Sequence, residues 1–205
     1  TYNGVDPSFQ LANRGKRSVG LDLKTDGGRD ALYRLVASCD VFLTNFRPPA
    51  RQRLKIDVED LRRVNPEVIY VRGSGFGPRG PDANKPGYDS SAYFSRSGMA
   101  ATLTPPGAEW PLGQRPAFGD VVGGLTIAGS IAAALFRRAN AGQTSVVDVS
   151  LLAAGMWQLG FDIMNAKLDG PAGSPPRPDR FAMPNPLVGA YRTKDNRFIT
   201  LMMLD

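Results

Sequence analysis

The sequence has no histidine, a single cysteine and two tryptophans in 205 residues. Without histidine, this chain cannot supply a Ser-His-Asp or Cys-His catalytic set, an imidazole general base or a histidine-ligated metal, and no metal is expected. A lone cysteine, Cys39, closes no internal disulfide, which fits a reducing cytoplasm. It follows Val36-Ala37-Ser38 near an expected helix end and reads as a buried structural thiol. Long apolar runs are missing too: the longest, Val121 to Phe136, falls short of the roughly 20 residues that a bilayer span needs, so no membrane partner is expected. The net charge is +6, yet there is no basic helix with interleaved aromatics. Nucleic acid is therefore not an expected partner, while small anionic ligands are.

What is present is an ordinary globular composition, 42% apolar and 21% charged. Residues 1–17 read as irregular and Ser18 to Leu23 as a short alternating strand. A helix with Ala31, Leu32, Leu35 and Val36 on one face follows. Val41 to Thr44 is a short apolar strand of the buried parallel type. A basic helix around Arg51, Arg53 and Lys55, a second short helix over Val58 to Val64 and the strand Val68 to Val71 complete a βαβ succession. The implied class is α/β with a Rossmann-like parallel sheet. Further on, Tyr88 to Met99 reads as a helix, 100–118 as a Pro/Gly-rich excursion, Ser145 to Val149 as a strand and Leu151 to Leu168 as one apolar helix whose Met and Trp residues belong to the core. A proline-rich linker over 169–186 leads to a hairpin, with strands Val188 to Arg192 and Arg197 to Leu204 joined through Lys194-Asp195-Asn196. The expected organisation is a large α/β domain over 1–168, the linker, and the start of a smaller α+β domain over 187–205. A first residue that is not Met and a last strand that reaches Leu204 lead us to expect a piece of a longer fold.

Two stretches bear on chemistry. Gly75, Gly77 and Gly80 form a G-x-G-x-x-G directly after a strand, but Pro78, Pro81 and Pro86 prevent the helix that a dinucleotide fingerprint requires, so the segment reads as a loop. The other is LGQRPAFGDVVGGLTIAGSIAAALFRR, Leu112 to Arg138. Val121, Leu125, Ala128, Ile131 or Ala132, and Leu135 recur at helical spacing, so a buried helix is predicted with Asp120 at its N-cap. Asp120 has two readings that do not exclude one another: a helix cap, or a carboxylate nucleophile beside the close-approach glycines Gly119, Gly123 and Gly124.

The runs NRGKRSVGLDLKTDGGRDALYRLVASCDVFLTNFRPPARQRL, VNPEVIYVRGSGFGPRGP, KPGYD and RPAFGDVVGGLTIAGSIAAAL, in this order, resemble the class III CoA-transferases, whose relatives include 2-methylacyl-CoA racemases. The resemblance implies CoA transfer between an acyl-CoA and a carboxylic acid. Asp120 matches the family's catalytic aspartate, which passes through an aspartyl mixed anhydride and an aspartyl-CoA thioester. It further implies that Leu21 and Lys24 (the L-D-x-K segment), Asn45 and Phe46 (the N-F segment) and Arg53 bind CoA, which is a substrate here, with Tyr88 and Asp89 in support. Arg47 departs from the Gly that many relatives carry. Tyr88 stands where the racemases place histidine. A phenol, with an ordinary pKa of about 10, is a poor base at neutral pH, so a racemase or epimerase is the alternative, and a non-catalytic CoA-binding member is a third. By resemblance the full protein is a cytoplasmic, interlocked homodimer.

Overall fold

The computed structural model describes residues 3–169 and 185–203. It divides into two compact units, Thr1–Trp157 and Gln158–Asp205. In the first, three strands, β1 (Val41–Thr44), β2 (Ile69–Ser74) and β3 (Val146–Ser150), form a parallel sheet in the order β1-β2-β3. Leu43 pairs with Val71 and Arg72 with Asp148 across it. The α/β class with a parallel sheet, expected from the sequence, is what the chain forms.

β2 is buried on both faces because helices cover each of them. Its alternate residues divide between two cores. On one side Tyr70, with Val68 just ahead of the strand, packs with Val36 and Leu61, from helices α2 (Asp26–Ala37) and α4 (Val58–Arg62). On the other side Ile69 and Val71 pack with Ala134, Ile127 and Ile131 of the long helix α6 (Phe118–Ala141). Period-2 alternation in the strand thus meets helical periodicity on either side. Between β1 and α4 lies α3 (Pro48–Leu54), opened by two prolines in its first turn. Its end is stapled by two phenols: Tyr33 Oη donates to Lys55 O and Tyr70 Oη to Ile56 O, both at 2.7 Å.

Several expectations need correction. Residues 7–13 are helical, not irregular: α1 (Pro7–Asn13) starts at Asp6, whose carboxylate accepts from the Ser8 and Phe9 amides. Asp followed by Pro is a readable helix start, but no residue of α1 is buried, so apolar periodicity could not show it. Ser18 to Leu23 is not a strand. Its last residues fold into a turn in which Asp22 Oδ1 accepts from Lys24 N at 3.0 Å and Thr25 caps α2. The segment after Tyr88 is a π-helix, Asp89–Ser95, followed by the short α5 (Met99–Leu103). The single helix expected over Leu151 to Leu168 is two, α7 (Leu151–Gln158) and α8 (Gly160–Asp169). Trp157, read as core, is 88% exposed, since α7 meets the π-helix through its glycine: a Cβ on Gly155 would lie 2.6 Å from Tyr93 O.

The long helix α6 also differs from its reading. It packs through Gly123, Ile127, Ile131 and Ala134, while Val121 and Leu125 are 60% and 70% exposed. The helix carries two apolar stripes, and the one with the smaller residues lets the backbone approach the sheet. It continues past Phe136 to Ala141, so by length and composition it could cross a membrane. Here it forms the layer on one face of β2 and β3.

The second unit holds α8 and an antiparallel hairpin of β4 (Val188–Arg192) and β5 (Phe198–Met202). Its turn, with Asn196 at φ 63°, falls where the sequence placed it. Most of the expected linker, 170–184, lies outside the described residues.

Candidate active site

A cleft of about 700 Å³ opens at the C-terminal ends of β2 and β3, the place where parallel sheets bind ligands. Arg72, Gly73 and Ser74 from β2 and Asp148 and Val149 from β3 form its floor. The loop after β1 (Asn45, Phe46, Arg47), the glycine-rich loop after β2, the start of the π-helix (Tyr88, Asp89) and the first turns of α6 (Asp120, Gly123, Gly124) form its walls. The volume is within the range of small-molecule sites, roughly 300–1,000 Å³.

The glycine-rich loop keeps its shape by backbone contact. A Cβ on Gly87 would lie 2.6 Å from Gly75 Cα, and Gly77 and Gly80 both take φ 89°. No helix follows β2, as the prolines dictated. The loop is tied to the first turn of α7 by Leu152 N donating to Gly75 O at 2.9 Å.

The start of α6 is built differently from the sequence expectation. Asp120 is not the N-cap. That position is Ala117, in the left-handed region at φ 60° with no side chain to offer, and Asp120 sits in the first turn. The cap comes from elsewhere in the chain: Asp89 Oδ1 accepts from Gly119 N at 2.9 Å, a buried bond. Asp89 is 8% exposed, and its second oxygen is buried without a partner. Gly119 is required here, because a Cβ would run into the Tyr93 ring and lie 2.6 Å from Asp89 Oδ1. Asp89 thus leaves two carboxylates facing one cleft. Burial, then the Asp89 charge, push the Asp120 carboxyl above its ordinary value, which makes it more basic and more nucleophilic.

Of the residues singled out in the sequence, Asn45, Phe46, Tyr88, Asp89 and Asp120 line this one cleft. Leu21, Lys24 and Arg53 do not appear among its lining residues. Leu21 and Lys24 precede α2, with Lys24 exposed. Arg53 is exposed on α3, while Arg51, two residues earlier and so about 200° around the helix, faces inward. Arg51 is 7% exposed; Nη1 donates to Phe46 O at 2.8 Å and Nε to Asp57 Oδ1 at 3.3 Å. It holds the Asn45-Phe46 loop to the α3–α4 turn. Nothing in the sequence separated Arg51 from its basic neighbours except helical phase. Arg72 and Asp148, also missed, form a two-bond fork at 2.6 and 2.7 Å across β2 and β3. The Asp148 hydrogen bond leads in raising the Arg72 pKa. Among the described residues there is no group of three or more His, Cys, Asp or Glu that could hold a metal.

The family model for CoA-transferase family III matches residues 2–205. The chain belongs to CoA-transferase family III. It is 33% identical to the cinnamoyl-CoA:phenyllactate CoA-transferase of Clostridium sporogenes over 196 residues, which cover 96% of this chain and 47% of that enzyme. It is also 33% identical to the human alpha-methylacyl-CoA racemase, over 92% of this chain and 49% of that one. Among solved structures, a CAIB/BAIF family protein from Brucella suis superposes with a TM-score of 0.77 at 33% identity, covering 91% of this chain and 48% of that one. The chain spans about half the length of the curated relatives it matches. For a family III member, the cleft brings five residues named from the family motifs to one place.

Proposed function

We propose that this chain carries the nucleophile and part of the CoA site of an enzyme that moves CoA between an acyl-CoA and a carboxylic acid. The observation that carries the reading is Asp120 at the start of α6. It is a carboxylate on the cleft wall with its pKa raised, beside glycines that let substrate approach, in a chain with no histidine. A carboxylate needs no general base, and positioning offsets its modest reactivity, with effective molarities of roughly 10⁵ M or more.

The steps follow from the groups present. Asp120 adds to the thioester carbonyl; the C–O bond forms, the C–S bond breaks and CoA leaves as thiolate. The thiolate then attacks the Asp120 carbonyl of the mixed anhydride, releasing the donor acid and leaving an aspartyl-CoA thioester. The acceptor carboxylate displaces CoA by the same addition, and the thiolate returns to the acceptor's carbonyl and frees Asp120. Forming the anhydride removes the negative charge that Asp89 opposes, so the like-charge pair favours the covalent states over the free carboxylate. Asp120 sits in the first turn of α6, the helix end whose dipole favours negative charge developing beside it. Leu21, Lys24 and Arg53 belong to this reading as CoA contacts by motif, and the full protein as a cytoplasmic homodimer.

The test is a full-length protein incubated with acyl-CoA. A hydroxylamine-sensitive adduct is expected on Asp120, and Asp120→Ala should abolish transfer; transfer at the wild-type rate would remove the proposal. The similarity to a racemase gives the second reading, which predicts deuterium uptake at the α-carbon of a 2-methylacyl-CoA; no exchange excludes it.

A further inference from the structure

Alternation along β2 and β3 sorts the cleft into two sides. Arg72 follows Tyr70 on the face turned to α2 and α4, and its fork to Asp148 makes that side polar. Gly73 follows Ile69 and Val71 on the opposite face, toward α6, and pairs with Val149 of β3. A Cβ on Gly73 would meet Ile127 Cδ1 at 3.5 Å, and one on Gly123 would meet Leu151 Cδ2 at 3.1 Å. The lining on this side is therefore Gly73, Gly123, Gly124, Ile127, Val149 and Leu151, with no charge among the six. Asp120 heads the same row: Gly123, Gly124 and Ile127 follow it at i+3, i+4 and i+7, the face of α6 that lines the cleft. Gly124 lies one turn from the nucleophile, about 6 Å along the axis. Nothing stands within 4 Å of a Cβ built on it, and its φ is not left-handed. Neither packing nor backbone thus demands glycine there, although glycine inside a helix is unfavourable relative to alanine. The room that it leaves opens onto the cleft.

We propose that the α6 side of the cleft takes the carbon skeleton of the acid being transferred and that Gly124 and Gly73 set its size. The substrate class is then monocarboxylic acids with an apolar chain, in preference to dicarboxylic acids of the same length. The inference rests on the CoA-transfer reading of the same site. With the carboxyl carbon at Asp120, a chain laid along α6 meets Gly124 and Ile127 on one side and Gly73 and Val149 on the other. Each methylene buried there is worth a factor of about 4. A second carboxylate on that chain would be buried among uncharged residues, which is strongly unfavourable.

The experiment uses the full-length enzyme with propanoate, butanoate, hexanoate and adipate as acceptors. kcat/KM should rise about 4-fold per methylene from propanoate to hexanoate, and adipate should fall at least about 10-fold below hexanoate. Gly124→Val should lower the hexanoate-to-propanoate ratio on the order of 10-fold. Gly124→Ala, whose Cβ meets no protein atom within 4 Å, should fold and shift the ratio less in the same direction. Gly129→Ala, on the same helix but outside the cleft lining, should leave the ratio at its wild-type value. A ratio that does not move in either Gly124 variant, or adipate used as well as hexanoate, overturns the assignment. Calorimetric affinities of hexanoyl-CoA and adipyl-CoA need no turnover: hexanoyl-CoA should bind more tightly, and Gly124→Ala should narrow the difference. Equal affinities overturn the apolar compartment while leaving the CoA-transfer reading intact. An active Asp120→Ala variant overturns that reading, and the calorimetric comparison still decides the compartment.

Discussion

Replacing Gly119 with alanine separates tertiary demand from helix propensity. By propensity alone the change favours α6 by about 1 kcal/mol. The structure reverses the sign. The new methyl would occupy space held by the Tyr93 ring and lie 2.6 Å from Asp89 Oδ1. Tyr93 cannot yield: it is fully buried, its ring meets Phe118 edge-on at 6.4 Å, and its carbonyl lies against Gly155. Overpacking of this kind costs about 1–3 kcal/mol. Pushing the helix start away also breaks the buried Gly119 N–Asp89 bond, worth about 1.5–3 kcal/mol with a carboxylate acceptor. A net loss of about 2–4 kcal/mol is expected. Gly129, ten residues along the same helix, has nothing within 4 Å of a built Cβ, so Gly129→Ala should gain about 1 kcal/mol. Urea unfolding of the two full-length variants beside wild type measures both, and transfer activity should fall only in Gly119→Ala, where Asp120 moves. If both substitutions stabilise alike, the close packing deduced for the start of α6 is wrong.

Three further outcomes are expected. Because burial and Asp89 raise the Asp120 pKa, the acid limb of kcat/KM should lie above the ordinary carboxyl value of about 3.9. Asp89→Asn keeps an acceptor for Gly119 N but removes the charge, so the limb should move to lower pH; an unmoved limb would show that Asp89 does not act on the nucleophile. A raised folded pKa means that the stability contributed by Asp120 is present below the unfolded carboxyl value and lost as pH rises through the folded one. Asp120→Asn should therefore unfold at higher urea than wild type at neutral pH, and a lower midpoint would contradict this. Finally, Arg51→Met breaks the bonds to Phe46 O and Asp57 and should cost about 1–3 kcal/mol. It should also raise KM for acyl-CoA as the Asn45-Phe46 loop loosens, which separates a positioning role from a purely structural one.

The parts of this protein legible in its sequence are those governed by local chemistry. Short apolar runs marked β1 and β2, helical spacing marked α2 and α6, and prolines 78, 81 and 86 ruled out a helix after β2, whereas the one alternating run, Ser18 to Leu23, forms no strand. The hairpin turn at Lys194-Asp195-Asn196 follows from turn residues. Motif order pointed to Asp120, Asn45 and Phe46 before any coordinates. Tertiary structure decided whatever depends on a partner distant in the chain. Asp120 was read as a cap because capping is ordinarily local, whereas the residue that caps α6 is Asp89, thirty positions away. The packed side of α6 could not be chosen from two apolar stripes, since only the sheet selects the one whose small residues permit close approach. Nor could composition tell Arg47, Arg51 and Arg53 apart. Helical phase and the placing of Asp57 left Arg53 exposed, Arg51 paired and buried, and Arg47 on the cleft wall, bonded to Asn84 O.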